Sequence, residues 1–211
     1  MYISRVEVDV KNRKKIKNLS HVAAYHSWVE DSFPKEKKLE NRTRKLWRVD
    51  TLNNKTYLIL VSQEKPNFSC LEKYGVEGTA ESKQYDTFLN SIKNGDRYRF
   101  RITLNPVISL SQGSGNKSLI KPHVTIEYQR KYLIDRSIKN GFELDENEFS
   151  IVERGYENFY KSGQKKVRLV KATYEGILTV KSADLLKDVL IKGMGKKRAY
   201  GFGLMTVIPM V

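Results

Sequence analysis

The chain opens with alternating polar and apolar residues, the pattern of a half-buried β-strand. In YISRVEVDV, Val6, Val8 and Val10 alternate with charged residues, which predicts a strand. Apolar residues then recur at helical spacing over 19–33, and Pro34 is expected to end that helix. RKLWRVD and KTYLILVSQ flank TLNN, which predicts two strands joined by a tight turn. The predicted order at the start of the chain is therefore strand, helix, strand, strand.

The same order of elements returns later in the chain. DRYRFRITLNPV predicts a strand with Tyr98, Phe100 and Ile102 on one face, whereas residues 64–94 show no clear pattern. After the linker-like SLSQGSGNKS, the sequence predicts a helix over 122–139 that ends at Asn140-Gly141. Two strands joined through KSGQKK are predicted next. They are followed by a helix that Ser182 caps and Gly193 ends, and by a last strand in GFGLMTVIPM. We therefore predict an α+β fold of two tandem ferredoxin-like βαββαβ domains, covering 1–107 and 120–211.

The composition narrows the class of partner. The 211 residues include 39 Lys and Arg against 24 Asp and Glu, a net charge of +15, which favours nucleic acid or an anionic membrane surface. No apolar run approaches the ~20 residues that span a bilayer, and the first residues lack the features of a signal peptide. A single cysteine, Cys70, indicates a reducing cytoplasm. One cysteine and three scattered histidines do not suit a zinc site, so neither a metal nor another cofactor is expected.

The glycine-rich stretch GMGKKRAYGFG, residues 193–203, places Lys196, Lys197 and Arg198 side by side. It fits either a solvated turn or a phosphate-binding loop, because glycines let backbone N–H groups approach a phosphate while the cations hold its charge. Tyr200 and Phe202 either stack on a ligand or pack into the sheet, and packing is favoured for Phe202.

IKGMGKKRAYGFGLMTVIPM resembles the C-terminal glycine-rich loop and last strand of the CRISPR repeat-RNA endoribonucleases, most closely the CasE branch of type I-E systems. MYISRVEV, the SFP after the first helix, RYRFRITLNPV and ATYEGILTV agree with that family in the same order. The resemblance implies the tandem ferredoxin-like fold and metal-independent cleavage of CRISPR precursor RNA beside the repeat stem-loop. It also implies that the product stays bound among the other subunits of the type I-E Cascade complex.

Cleavage of RNA by its own 2′-OH leaves a 2′,3′-cyclic phosphate and needs a group that transfers a proton, a role that suits histidine. A helical wheel of the first helix places His26 on the apolar stripe and puts His21 on the face of Tyr25. Aligned through SFP, however, His26 falls on the catalytic histidine of the family, and we select it on that resemblance. His21 is expected to cap the helix, and His123 to be structural or to contact a phosphate.

Family members often carry a tyrosine three residues before that histidine, where this chain has Ala23. Tyr25 is therefore a second catalytic candidate, which either orients the ribose or the histidine or merely packs.

The resemblance also assigns an RNA-binding surface. Its candidate residues are cations and one glycine: Arg136, Lys165, Lys166, Arg168, Gly195, Lys196, Lys197 and Arg198. For the hairpin lysines, protection of an exposed strand edge is a rival interpretation. Two other functions stay open from the sequence: a non-catalytic scaffold that binds an RNA stem-loop, and a basic protein associated with the ribosome or with DNA.

Overall fold

The N-terminal half forms a four-stranded antiparallel sheet with the order β2-β3-β1-β4. In a computed structural model, which describes residues 1–111, 113, 118–160 and 166–210, its elements are β1 (Tyr2–Glu7), α1 (Val22–Asp31), β2 (Leu46–Leu52), β3 (Lys55–Ser62), α2 (Phe68–Leu71) and β4 (Glu81–Gln84). The strands of this unit thus lie in the order fourth, first, third, second, which is that of a ferredoxin-like domain.

Local sequence explains the start of this unit. Val6 and Val8 are buried, as their alternation predicts. Asn53 and Asn54 have φ angles of 50° and 60°, which are the left-handed values that a two-residue hairpin turn requires between β2 and β3. Asparagine tolerates this backbone region better than most residues, so the turn follows from the sequence.

The C-terminal half repeats the arrangement. Its elements are α3 (Asp86–Ser91), β5 (Arg97–Leu104), β6 (Val107–Leu110), β7 (Leu119–Pro122), α4 (Ile126–Ser137), β8 (Phe142–Glu143), β9 (Phe149–Tyr160), β10 (Lys166–Val180), α5 (Ala183–Lys192) and β11 (Met205–Pro209). The second sheet has the order β11-β5-β10-β8, and β9 also pairs with β10. Counted from β5, the strands β11, β5, β10 and β9 again lie in the order fourth, first, third, second. The tandem ferredoxin-like fold is therefore confirmed.

The strand pairing differs from the predicted division at residue 107. That division put β5 in the N-terminal domain, whereas β5 pairs with β10 and β11 of the second sheet. Its inward residues Tyr98, Phe100 and Ile102 are buried in the second core. By strand pairing, β5 is therefore the first strand of the second ferredoxin-like unit.

Several other predicted elements are found in the structure, some with different first or last residues. The linker-like stretch 109–118 begins within β6, which pairs with β7, and residues 112 and 114–117 of it lie outside the described part of the chain. Helix α4 begins later than predicted, after the Thr125 cap, and the chain leaves its 3-10 extension at Gly141 in the left-handed region, φ 82°. Ser182 and Gly193 bound α5 as predicted. Within the part of the chain that the structure describes, no helix is long and apolar enough to cross a membrane.

Candidate active site

Helix α1 begins at an imidazole cap. The Nδ1 atom of His21 accepts a hydrogen bond from the backbone N–H of Ala24 at 3.2 Å, while the His21 backbone is extended. This contact satisfies one of the free N–H groups of the first turn. The cap role expected for His21 is therefore what the structure shows.

His26 lies near the middle of α1 and is half-buried. Its imidazole meets the ring of Tyr200, from the glycine-rich loop, edge to face, with centroids 6.2 Å apart and planes at 63°. Burial lowers the pKa of His26, Lys45 lowers it further, and Glu30 acts in the opposite direction. The position of His26 on the apolar stripe of α1 thus correctly indicates that its side chain is partly buried. Part of that burial comes from Tyr200 of the glycine-rich loop. Burial of the imidazole therefore favours its neutral form.

A buried ion cluster fixes the charges beside His26. The ammonium group of Lys45, whose side chain is 0% exposed, donates to Glu36 Oε2 at 2.9 Å, to Glu30 Oε2 at 3.4 Å and to the carbonyl of Thr43 at 3.1 Å. Glu30 lies one helical turn after His26, on the same face of α1. No pattern in the sequence indicates this cluster, because its members are spread over two elements and a loop.

Tyr25 packs within the core of the first domain. Its ring stacks on Trp47 with centroids 5.8 Å apart and planes at 18°, and it lies 6.0 Å from Trp28. Burial and the charge of Glu157 raise the pKa of its hydroxyl. These contacts correspond to the packing role that the sequence left open, and the tyrosine that the structure brings to His26 is Tyr200.

The glycine-rich loop is held to the end of α5 by Arg198. Arg198 donates to the carbonyl of Lys192 at 2.8 Å and to that of Gly193 at 3.1 Å, so its guanidinium braces the loop. Burial lowers the pKa of Arg198, as does the nearby Arg44. Lys196 and Lys197 are exposed. Of the three predicted RNA-binding cations in the loop, two thus face solvent and the third is partly engaged in the fold.

The β9–β10 hairpin joins the same site near its turn, where β9 ends at Tyr160 and β10 begins at Lys166. Phe159 on β9 and Leu169 on β10 form a buried cluster with Phe202, and Val22 and Ala23 of α1 pack against it. Directly before Leu169 on β10, the exposed guanidinium of Arg168 lies 3.6 Å from the ring centroid of Tyr156. Lys166 is exposed as well, and Lys165 lies outside the described residues.

Arg136 and Gly195 meet at Tyr132 of α4. The Arg136 guanidinium lies over the Tyr132 ring at 3.6 Å and donates to the Tyr132 carbonyl at 3.1 Å. A Cβ atom built on Gly195 would lie 3.5 Å from the Tyr132 hydroxyl. His123 packs against the other aromatic rings of this helix, Tyr128 at 5.9 Å and Tyr132 at 5.8 Å. Arg136 is therefore linked to the glycine-rich loop through Tyr132, and His123 packs against the aromatic side chains of α4.

A polar cleft of about 540 Å³ opens beside α1, between the two domains. Tyr25 and Tyr200 line it, together with Lys171, which pairs with Glu153 at 2.7 Å and Glu157 at 3.3 Å. Burial alone would lower the pKa of Lys171, but its bonds to Glu153 and Glu157 raise it. Lys171 thus keeps its charge in the cleft.

Comparison with known proteins identifies the family. The family model for CRISPR associated protein matches residues 1–209. The CRISPR-associated endoribonuclease Cse3 of Thermus thermophilus is 23% identical over 220 residues, covering 99% of this chain and all of the relative. Its structure bound to an RNA that represents a pre-cleavage complex superposes with a TM-score of 0.78, at 22% identity, over 99% of this chain and 98% of that one.

A chain of a CRISPR RNA-guided surveillance complex in a pre-nicking state shares the fold with a TM-score of 0.65, at 18% identity and full coverage of both chains. The family match spans both ferredoxin-like units. The chain belongs to the family of CRISPR-associated proteins, in agreement with its sequence resemblance to the CasE branch of type I-E systems.

Proposed function

We propose that the protein is a metal-independent endoribonuclease that cleaves CRISPR precursor RNA beside the repeat stem-loop. The observation that carries the proposal is the position of His26, a half-buried imidazole with a lowered pKa beside a loop that exposes Lys196 and Lys197. A proton acceptor next to fixed positive charge is what attack by a 2′-OH on its neighbouring phosphate requires.

In the proposed reaction the neutral imidazole of His26 takes the proton of the 2′-OH. The 2′ oxygen then bonds to the adjacent phosphorus, and the bond from phosphorus to the 5′ oxygen of the next nucleotide breaks. That oxygen leaves with a proton from water, so the products are a 2′,3′-cyclic phosphate and a 5′-OH. Lys196 and Lys197 stabilise the charge that accumulates on the phosphorane.

The RNA stem is proposed to lie along cations of the hairpin and of α4. Lys166 and Arg168 on β10 face solvent, and Arg136 adjoins the glycine-rich loop through Tyr132. Lys165, Gly195 and Arg198 complete the proposed surface, with Arg198 acting mainly through the shape of the loop. The relative from Thermus thermophilus, whose structure contains RNA, supports this class of ligand.

The cleaved RNA is proposed to stay bound, with the protein as a subunit of the type I-E Cascade complex in the cytoplasm. The shared fold with a chain of an RNA-guided surveillance complex supports this assembly. Retention is consistent with a net charge of +15, since binding through many phosphate contacts dissociates slowly at low salt.

One gel tests the proposal. Purified protein is incubated with a repeat RNA in excess EDTA, and the RNA is analysed for a single cut beside the stem. Wild type is expected to cut, whereas His26→Ala is expected to bind equally well and to cut at least ~10²-fold more slowly. An RNA with a 2′-deoxy residue at the cut site is the matched control, which wild type should bind without cutting. Binding without cleavage of the unmodified RNA would favour the scaffold function instead.

A further inference from the structure

Tyr200 contacts His26 from a segment far away in sequence. The two rings meet edge to face, with centroids 6.2 Å apart, a geometry that aromatic pairs prefer. The Tyr200 ring is itself supported by Phe159 of β9, whose centroid lies 4.6 Å away. The imidazole therefore has an aromatic neighbour that is backed by the second domain.

The backbone at Tyr200 is fixed before any ligand binds. The indole N–H of Trp47, on β2, donates to the carbonyl of Ala199 at 3.2 Å, and the Tyr200 N–H donates to the carbonyl of Lys197 at 2.9 Å. Gly201 follows with a φ of 80°, and a Cβ there would lie 2.8 Å from the Trp47 ring. Only a glycine fits this contact, which sets the direction in which the Tyr200 side chain leaves the loop.

Helix α1 has a small residue where the Tyr200 side chain packs. Ala23 lies three residues before His26, on the same helix face, and both Ala23 and Tyr200 pack against the cluster of Phe159, Leu169 and Phe202. A methyl group at position 23 leaves room for an aromatic ring from the loop beside the imidazole. A bulky side chain at position 23 would compete with Tyr200 for that space.

We infer that Tyr200 is a positioning residue for His26, whose ring holds the imidazole in one orientation between α1, the glycine-rich loop and β9. The inference rests on the proposed function, in which His26 accepts the 2′-OH proton. The rotation of an imidazole about its χ2 angle is broad, so a ring packed against it restricts the direction of the accepting nitrogen. The contact is made by the ring, and the hydroxyl group is not required.

Cleavage rates of variants test this role. In single-turnover assays, Tyr200→Phe is expected to cut like wild type, whereas Tyr200→Ala and Tyr200→Leu cut about 10-fold or more slowly, because misplacement of a reacting group is costly. Their affinity for the repeat RNA is expected to stay within about twofold, since Lys196 and Lys197 carry the phosphate contacts. Tyr200→Leu keeps apolar volume against Phe159, so it controls for loss of folding in Tyr200→Ala.

A double-mutant cycle distinguishes a positioning role from a structural one. If Tyr200 acts through His26, then Tyr200→Ala costs nothing further in the His26→Ala background. Costs that multiply in the double variant would show that Tyr200 acts independently of His26 and would overturn the inference.

A measurement without RNA separates this inference from the proposed function. The chain has three histidines, so NMR titration of the unliganded protein resolves each imidazole. Tyr200→Ala is expected to raise the pKa of His26 toward its ordinary value by relieving burial, while Glu30 and Lys45 keep their places and the titration of His123 does not respond. Tyr128→Ala, which removes the ring stacked on His123, is the matched control and should alter His123 only.

The outcomes are distinct. A wild-type protein that fails to cut would overturn the proposed function, and the titration of His26 would then decide the contact with Tyr200 by itself. An unchanged His26 titration together with wild-type cleavage in Tyr200→Ala would overturn the inference.

Discussion

The buried guanidinium of Arg48 donates from Nη1 to the carbonyl oxygen of Leu204 at 2.8 Å. This hydrogen bond joins β2 of the first sheet to the residue that follows the glycine-rich loop. The same nitrogen donates to the carbonyl of Arg101 at 2.8 Å, and the guanidinium also binds both carboxylate oxygens of Asp50, at 2.7 and 2.6 Å. Arg48 therefore connects the first domain to the strands that carry the end of the loop.

Replacement of this link is predicted to destabilise the protein. Arg48→Met should lower the free energy of unfolding by about 3–5 kcal/mol, because two carbonyl groups lose their buried donor and Asp50 keeps only its partly exposed partner Arg101, at 3.2 Å. Urea unfolding followed by tryptophan fluorescence measures the loss. Asp50→Asn in the Arg48→Met background removes the carboxylate that has lost its buried partner and should recover part of the stability. Unchanged stability in Arg48→Met would show that the link contributes nothing.

The pH dependence of cleavage is predicted from the pKa of His26. Burial holds that pKa below its ordinary value of 6.5, so the neutral, proton-accepting form persists to lower pH than an exposed histidine would allow. The second-order rate constant for cleavage, which reports the free enzyme, should therefore stay level at neutral pH and fall only below pH ~6.5. The residual rate of His26→Ala should lack this step. A fall that begins above pH 7 would contradict the proposed state of His26.

The lowered pKa of His26 also predicts how the free energy of unfolding depends on pH. A histidine whose pKa is depressed by folding stabilises the native state fully above its unfolded pKa, and this contribution is lost as the pH falls through the folded value. Wild type should therefore lose more free energy of unfolding between pH 7 and pH 5 than His26→Asn, as measured by denaturant titration at each pH. Equal losses in the two proteins would mean that His26 does not contribute.

Within the glycine-rich loop, Lys196 and Lys197 are predicted to contribute to RNA binding, whereas Arg198 is predicted to contribute to stability. Replacement of the exposed Lys196 and Lys197 by alanine should weaken RNA binding and reduce the slope of log Kd against log salt by roughly 1 for each phosphate that is no longer neutralised, with little effect on melting temperature. Arg198→Ala should instead lower the melting temperature, because the carbonyls of Lys192 and Gly193 lose their donor. Filter binding at several salt concentrations, together with thermal melts, compares the two. An unchanged slope in the double lysine variant would return the loop to the role of a surface turn.

His21 provides a contrast with His26 on the same helix. His21→Ala should lower the free energy of unfolding by about 1 kcal/mol through loss of the cap, and His21→Asn should retain most of it. Both variants are expected to cut RNA at the wild-type rate once folded. If His21→Ala abolishes cleavage while His26→Ala cuts normally, the helical wheel identified the catalytic histidine and the family alignment did not.

Much of the fold could be predicted from short-range signals. The alternation at Val6 and Val8, the Asn53–Asn54 turn and the caps at Ser182 and Gly193 are local properties of the backbone and of neighbouring side chains. The repeated order of elements then indicated two ferredoxin-like units, which the sheet orders confirm. Residues 64–94 show no pattern because α2 and β4 are only four residues long each.

Sheet membership required the tertiary structure. The alternation of β5 predicts a strand with Tyr98 and Phe100 inward but does not say which strands pair with it. Its partners β10 and β11 lie far along the chain, so a boundary drawn at residue 107 from local pattern could not take this pairing into account.

For the candidate site, too, some features could be predicted from the sequence and others required the tertiary structure. The order of residues alone was enough to place His26 on a covered face of a helix and a basic, glycine-rich loop after α5. An apolar stripe shows that a side chain will be covered, but not by what, because the covering group comes from another segment. The contact of Tyr200 with His26, the packing of Tyr25 on Trp47 and the burial of Lys45 between Glu30 and Glu36 emerged only from the three-dimensional arrangement. These pairings depend on how helices, strands and loops that are distant in sequence pack together, and their residues carry no periodic signal in the chain.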